Sequence, residues 1–196
     1  MIYKDNYGVR MKVIDELKIY IVVRDAYSYQ VFTEVFSDCE NVSVFQKDIR
    51  RFCDEHDEID CLVSPANAFG FMTGGYDAAL SDILGWDFQK KVQKYIKDHF
   101  YGEQVVGTSF YIETDNPGIS LIHTPTMQYP SEIKDDMIVY YCMRSTLMCA
   151  LENDVNTIVF PAFGGGVGGV EPDDAAKRMK EGYMQIKDRA GAEYYF

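Results

Sequence analysis

Positive charge is scarce in this sequence. Lysine and arginine number 19 against 31 aspartates and glutamates, a formal net charge of −12. That field repels a phosphate backbone and argues against nucleic-acid binding. It is compatible with one phosphate-bearing small ligand, because a loop of backbone N–H groups binds phosphate without lysine. Cys-x-x-Cys pairs are absent. The five cysteines, Cys39, Cys53, Cys61, Cys142 and Cys149, are odd in number, and most sit in apolar surroundings. They read as reduced, mostly buried thiols of a cytoplasmic protein. A catalytic cysteine is the sharper alternative, but no histidine with a clear role stands near to activate one. His56, His99 and His123 lack metal-ligand spacing, so no metal and no cofactor is expected. The N-terminus has no long apolar core, and no run approaches a membrane span, so neither a signal peptide nor a membrane is expected.

What is present is a chain of 196 residues with ordinary hydrophobic content and many aromatics, 15 tyrosines and 12 phenylalanines. That length can bury a sizeable core. With no repeat, low-complexity tract or linker, residues 1–196 read as one domain, with 1–16 an irregular arm or an edge strand. Apolar runs at 17–23, 42–45, 59–64, 104–112, 119–123 and 157–160 predict strands. Helical spacing predicts helices over 26–36, 50–58, 76–84, 87–99, 135–153 and from Pro172 onward. Asp115-Asn116-Pro117-Gly118 predicts a hairpin or reverse turn. Residues 192–196 could close the sheet as a last strand. Strands alternate with helices throughout, which predicts a sheet covered on both faces, with ligands at the carboxyl ends of strands.

The densest signal follows the strand at 157–160. Pro161 opens a loop with five glycines within six residues, Gly164, Gly165, Gly166, Gly168 and Gly169, and a helix follows. Strand, glycine loop and helix can aim N–H groups at an anion. A glycine-rich surface turn is the alternative reading. Two further strand ends carry unusual chemistry: Asp48, and Asn67 with Gly74-Gly75. In an α/β sheet such ends can share one edge and form a pocket.

In this order the pieces resemble the macrodomain, the ADP-ribose-binding family, in a divergent bacterial or phage-type form. Its Gly-Asp-Ile appears as Lys47-Asp48-Ile49, with lysine where glycine is usual. Its Val-Asn-Ala-Ala-Asn appears as Val63-Ser64-Pro65-Ala66-Asn67, and its glycine run and helix start as Gly74-Gly75-Tyr76-Asp77-Ala78-Ala79-Leu80. Its Ile-His-Thr strand end appears as Ile122-His123-Thr124. Its second loop appears as Pro161–Val170, with Gly164-Gly165 where Ser-Thr is usual. The resemblance spans roughly residues 17–190 and implies a three-layer α/β/α fold with a central mixed sheet.

It also implies roles. Asp48, with the Ile49 N–H beside it, would accept from an adenine amino group; a solvated acid or helix cap is the alternative. Asn67 would hold the distal ribose and serve hydrolysis; otherwise it is a turn asparagine. Asp77 would activate or orient water at C1″ of that ribose; otherwise it is a first-turn acid favouring the helix dipole, worth ~0.5 kcal/mol. Gly74, Gly75, Gly165, Gly166, Gly168 and Gly169 would cradle the pyrophosphate, and Val167 would cover it. Phe163 would pack near adenine or fill the core, the commoner fate of such a ring. Tyr194 or Tyr195 could stack on adenine, and His123 reads as a structural hydrogen-bonder. The expected function is binding of ADP-ribose or a related nucleotide, with hydrolysis of ADP-ribosyl linkages on modified proteins or metabolites. The alternatives are a non-catalytic reader or scaffold and, more weakly, a phosphatase acting on ADP-ribose 1″-phosphate.

Overall fold

The computed structural model describes residues 13–189. The expected strand at 192–196, the stacking candidates Tyr194 and Tyr195, and most of the 1–16 arm lie outside those residues. Of the arm, Ile14–Glu16 forms a single 3-10 turn whose Ile14 is buried.

The described residues form six strands and six α-helices in the order β1 (Lys18–Val23), α1 (Ala26–Val35), β2 (Val42–Gln46), α2 (Ile49–Asp54), β3 (Cys61–Ser64), α3 (Gly75–Leu84), α4 (Phe88–Phe100), β4 (Phe110–Glu113), β5 (Ser120–His123), α5 (Met137–Glu152), β6 (Thr157–Phe160) and α6 (Pro172–Arg189). The strands form one sheet in the order β2-β1-β6-β3-β5-β4. Every neighbouring pair is parallel except β4 with β5, which the Asn116-Pro117-Gly118 turn makes an antiparallel hairpin. The sheet is therefore mixed, as expected.

Period-two alternation sorts the sheet residues between two apolar layers. Ile19, Ile21, Val63, Ile122, Ile158 and Phe160 face the layer that holds Phe32 of α1, Met143 of α5 and Met179 of α6. Tyr20, Val22, Leu62, Leu121 and Val159 face the layer with Phe52 of α2, Leu80 of α3 and Val92 of α4. Both faces are covered, which is why the central strands read as unbroken apolar runs. Each aliphatic side chain so buried contributes ~1.5–3 kcal/mol.

Local chemistry sets most boundaries. Asp25 caps α1 by accepting the Ser28 N–H at 2.8 Å. Pro172 is the first residue of α6, where a missing N–H costs nothing, and Asp173 and Asp174 follow in the first turn. Two expectations were too long by four residues or more. The strand predicted over 104–112 begins only at Phe110. Before it, Gly107 takes φ +82° and the Gln104 side chain donates to the Thr108 carbonyl at 2.9 Å, so the chain turns. The helix predicted over 50–58 stops at Asp54. Soon after, Asp60 commits its carboxylate to the N–H groups of Asn156 and Thr157, both at 2.9 Å, and the chain enters β3.

Candidate functional site

Five parallel strands end at one edge of the sheet, so the segments leaving β1, β2, β3, β5 and β6 gather there. They bring Asp48, residues 65–77, residues 124–133 and the glycine loop to a common edge. Direct contacts tie three of them together. Asn67 makes an isolated parallel bridge with Met127, and the Ala68 N–H donates to the Met127 carbonyl at 3.0 Å. The Ile133 N–H donates to the Gly168 carbonyl at 2.8 Å. The Phe69 and Tyr129 rings lie 4.7 Å apart. The segment at 124–133 therefore links the first loop to the glycine loop.

Asp77 lies in the first turn of α3 and is only 8% exposed. The Ser64 hydroxyl, at the end of β3, donates to its Oδ1 at 2.6 Å. Burial pushes the Asp77 carboxyl up to about 7, against the smaller opposing pull of Ser64. The group thus stands near the middle of its titration at neutral pH, where a carboxylate can take up or release a proton. Ser64 did not stand out in the sequence; its only signal there is that it replaces an asparagine of the family pattern at a strand end.

Asn67 is buried and folded onto its own loop. Its Oδ1 accepts the N–H groups of Phe69 at 3.2 Å and Phe71 at 3.3 Å, and its Nδ2 donates to the Phe71 carbonyl at 3.0 Å. It sits beside Met127 at the shared edge while doing so.

Asp48 caps α2. Its Oδ1 accepts the Arg50 N–H at 3.0 Å, and its Oδ2 lies 3.4 Å from an Arg50 Nη and 4.0 Å from Arg24 Nε. The alternative reading of a helix cap is thus realised, and the carboxylate stays partly exposed. The Ile49 side chain is buried in the layer below.

Gly74 precedes α3 in extended backbone, and Gly75 opens the helix at φ +56°. Beyond the adjoining backbone, no described atom lies within 4 Å of where a Cβ would stand on either. The glycine loop divides into two kinds of position. Gly164 has φ +80°, and a Cβ there would meet Val170 at 2.7 Å, so it serves packing. Residues Gly166–Gly168 form a 3-10 turn. The Gly168 and Gly169 N–H groups close it onto the carbonyls of Gly165 and Gly166 at 3.3 and 3.2 Å. The N–H groups of Gly166 and Val167 stand at the open start of that turn, the position where a donor lacks an internal acceptor. Val167 is 66% exposed above them. Phe163 takes the core alternative: it is wholly buried, edge-on to Phe160 at 5.9 Å, and has no ring face for a ligand.

His123 is buried with Nδ1 2.6 Å from the Gln104 Oε1. That oxygen only accepts, so Nδ1 carries the proton. Nε2 has no partner among the described residues, and burial holds the ring neutral, down to about 3. All five cysteines are free thiols, four of them buried. Among the described residues no cluster of His, Cys, Asp and Glu could hold a metal, and no helix is long and apolar enough to cross a membrane. A cavity of about 400 Å³ opens at the opposite end of the sheet, lined by Asp60, Glu113, Asn116 and Asp154 among others. It contains none of the residues expected to bind ligand.

Comparison with known proteins agrees with this architecture. The chain is 27% identical over 124 residues to an uncharacterized protein of Aquifex aeolicus, covering 63% of this chain and 72% of that one. It is 27% identical over 143 residues to the uncharacterized protein Rv1899c of Mycobacterium tuberculosis, where it spans only 37% of the relative's length. Among solved structures it superposes on the Oceanobacillus iheyensis macrodomain with ADP at TM-score 0.60, with 21% identity over 73% of this chain and 75% of that one. It superposes on the macrodomain of Mycobacterium tuberculosis DarG at TM-score 0.57, with 19% identity over 68% and 86%. The family model described as Macro domain matches residues 63–179, from the end of β3 through the first half of α6, which takes in Asn67, Asp77 and the whole glycine loop. The chain belongs to the Macro domain family.

Proposed function

We propose that this chain binds ADP-ribose, or a closely related nucleotide, at the edge where the strand ends meet, and that it hydrolyses ADP-ribosyl linkages there. The observation that carries the reading is the setting of Asp77. It is a buried carboxyl at that edge, fixed by Ser64 and poised near neutrality. Solved macrodomains of this fold carry ADP, as the Oceanobacillus iheyensis one does.

In this scheme the free N–H groups at Gly166 and Val167, with Gly74 and Gly75 opposite, take the pyrophosphate. That accords with the chain's shortage of cations, since oriented amides bind an anion without lysine. Asp48 takes the adenine amino group on the oxygen that does not cap α2. Water attacks C1″ of the distal ribose, the bond from C1″ to the modified side chain breaks with its electron pair leaving on the side chain, and ionised Asp77 takes the proton from water. A carboxylate there also stabilises the oxocarbenium-like transition state. Asn67 places the ribose once its amide turns from its own loop. An ADP-ribosylated protein is the macromolecular substrate in this reading, and five free thiols fit a cytoplasmic setting.

A second reading, a non-catalytic reader, is favoured by one observation: both polar ends of the Asn67 amide are already bonded within residues 67–71. The test is one panel of ADP-ribose, ADP-ribose 1″-phosphate and mono-ADP-ribosylated protein, with binding by calorimetry and release of product followed. Micromolar binding, near −8 kcal/mol, with release from protein supports the hydrolase. Binding without release supports the reader, and release of phosphate alone supports a phosphatase. No heat and no thermal shift at millimolar ADP-ribose removes all three.

A further inference from the structure

Ser64 occupies the place where the family pattern has its first asparagine. It is the last residue of β3, wholly buried, and its hydroxyl has a single proton to donate. That proton goes to Asp77 at 2.6 Å, across the gap between β3 and the first turn of α3. Among the described residues no other side chain bonds to Asp77. The two groups are thirteen residues apart, and each is the other's polar partner in an apolar layer, where an unmade hydrogen bond is costly.

Among the described residues nothing charged competes for this carboxyl. On α3 itself, Tyr76 is a neutral phenol held well above its ordinary value, chiefly by burial, and Asp82 is bonded to Arg50. From α2, Arg50 is engaged by Asp48 and Asp82, and burial keeps the Cys53 thiol neutral, pushed up to about 12. From β5, His123 pairs with Ser64 in the sheet register, and burial keeps it neutral. From α4, Phe88 and Val92 face the same layer.

We infer that Ser64 is the positioning residue for Asp77: its hydroxyl aims and holds the carboxylate that acts on water. The inference rests on the reading of Asp77 as the group that activates water. A short O–H donor on a rigid strand end holds one carboxylate oxygen, Oδ1, and leaves the other without a side-chain partner among the described residues. It also favours the anion, the form that accepts a proton. The substrate-facing chemistry stays with Asp77, and Ser64 acts only through it.

The test uses the full chain with Ser64→Ala and Ser64→Thr. The Asp77 side-chain carboxyl is titrated by carbon-13 NMR from pH 5 to 9, and ADP-ribose release from mono-ADP-ribosylated protein is measured over the same range. Loss of a hydrogen bond to a charged group corresponds to about one pH unit or somewhat more. In Ser64→Ala the titration midpoint and the acidic limb of the rate profile are therefore expected to rise together by about one unit, with the rate at pH 7 down about fivefold. Ser64→Thr, which keeps the hydroxyl, is expected to restore both. A midpoint that stays put in Ser64→Ala, or one that Ser64→Thr does not restore, overturns the inference. Should Ser64→Ala not fold, Ser64→Cys, with its weaker donor, is titrated in its place and read the same way. Should the unmodified chain release no ADP-ribose, the hydrolytic reading fails. The NMR midpoint then decides whether Ser64 holds Asp77.

Discussion

Arg50 at the start of α2 reaches across to Asp82 on α3, its Nε 2.8 Å from the carboxylate. The same guanidinium lies 3.4 Å from Asp48. One side chain thus ties the segment that carries Asp48 to the helix that carries Asp77. The ion pair is exposed, so its effect on global stability is small. Its effect on registry is the testable one. Arg50→Ala is expected to leave the melting temperature nearly unchanged while weakening ADP-ribose binding, because Asp48 and helix α3 lose their common anchor. Calorimetry beside thermal unfolding checks this.

Asp48 is expected to show two separable effects. Asp48→Ala removes the cap of α2 and costs about 1 kcal/mol of stability. Asp48→Asn keeps an acceptor for the Arg50 N–H and recovers most of that. If the carboxylate also takes an adenine amino group, both variants lose ADP-ribose affinity alike. Urea unfolding and calorimetry on the two proteins separate cap from ligand contact.

Stability should carry the signature of Asp77. Its folded pKa, about 7, lies above the ordinary 3.8. Between those values the native state binds the proton more tightly than the unfolded chain does. This contribution is fully present below the ordinary value and is lost as pH rises through 7, so it makes the fold less stable at pH 8 than at pH 5. Asp77→Asn cannot ionise, so it is expected to remove that part of the pH dependence and to abolish turnover. Urea unfolding of both proteins at pH 5 and pH 8 gives the difference.

Within the glycine loop, Gly164 and Gly166 are expected to behave differently. Gly164→Ala meets φ +80° and a Val170 contact at 2.7 Å together. A stability loss of about 2 kcal/mol or more is expected from strain and overpacking. Gly166→Ala has φ +61° but open space, so only the conformational part, about 1 kcal/mol, applies. Denaturant midpoints for the two variants check the order.

Asn67→Ala removes three hydrogen bonds within residues 67–71. Faster amide exchange at Phe69 and Phe71 is expected, together with loss of ADP-ribose release. Protected amides in the variant would show that the loop is held by its bridge to Met127 instead.

Much of the architecture was legible in the chain itself. Apolar runs buried on both faces announce central parallel strands, and Asn116-Pro117-Gly118 announces the hairpin, because these are properties of a few consecutive residues. Asp25 before α1 and Pro172 at the start of α6 are local in the same way. The order of the motifs from Asp48 to Val170 was likewise enough to suggest the family.

What needed the tertiary structure was every choice between two partners. Phe163 could serve ligand or core, and only the packing against Phe160 sends it to the core. Gly168 and Gly169 could offer their N–H groups outward, and the 3-10 turn consumes them. Gln104 is a polar residue on a predicted strand until His123, nineteen residues on, claims its side chain. Asp77 was readable as an acid at a helix start, but its proton affinity depends on burial and on Ser64, which no spacing reveals. Local conformational preference is written residue by residue along the chain. Burial and hydrogen-bond partners are set by segments distant in sequence, and these determine what each side chain can do.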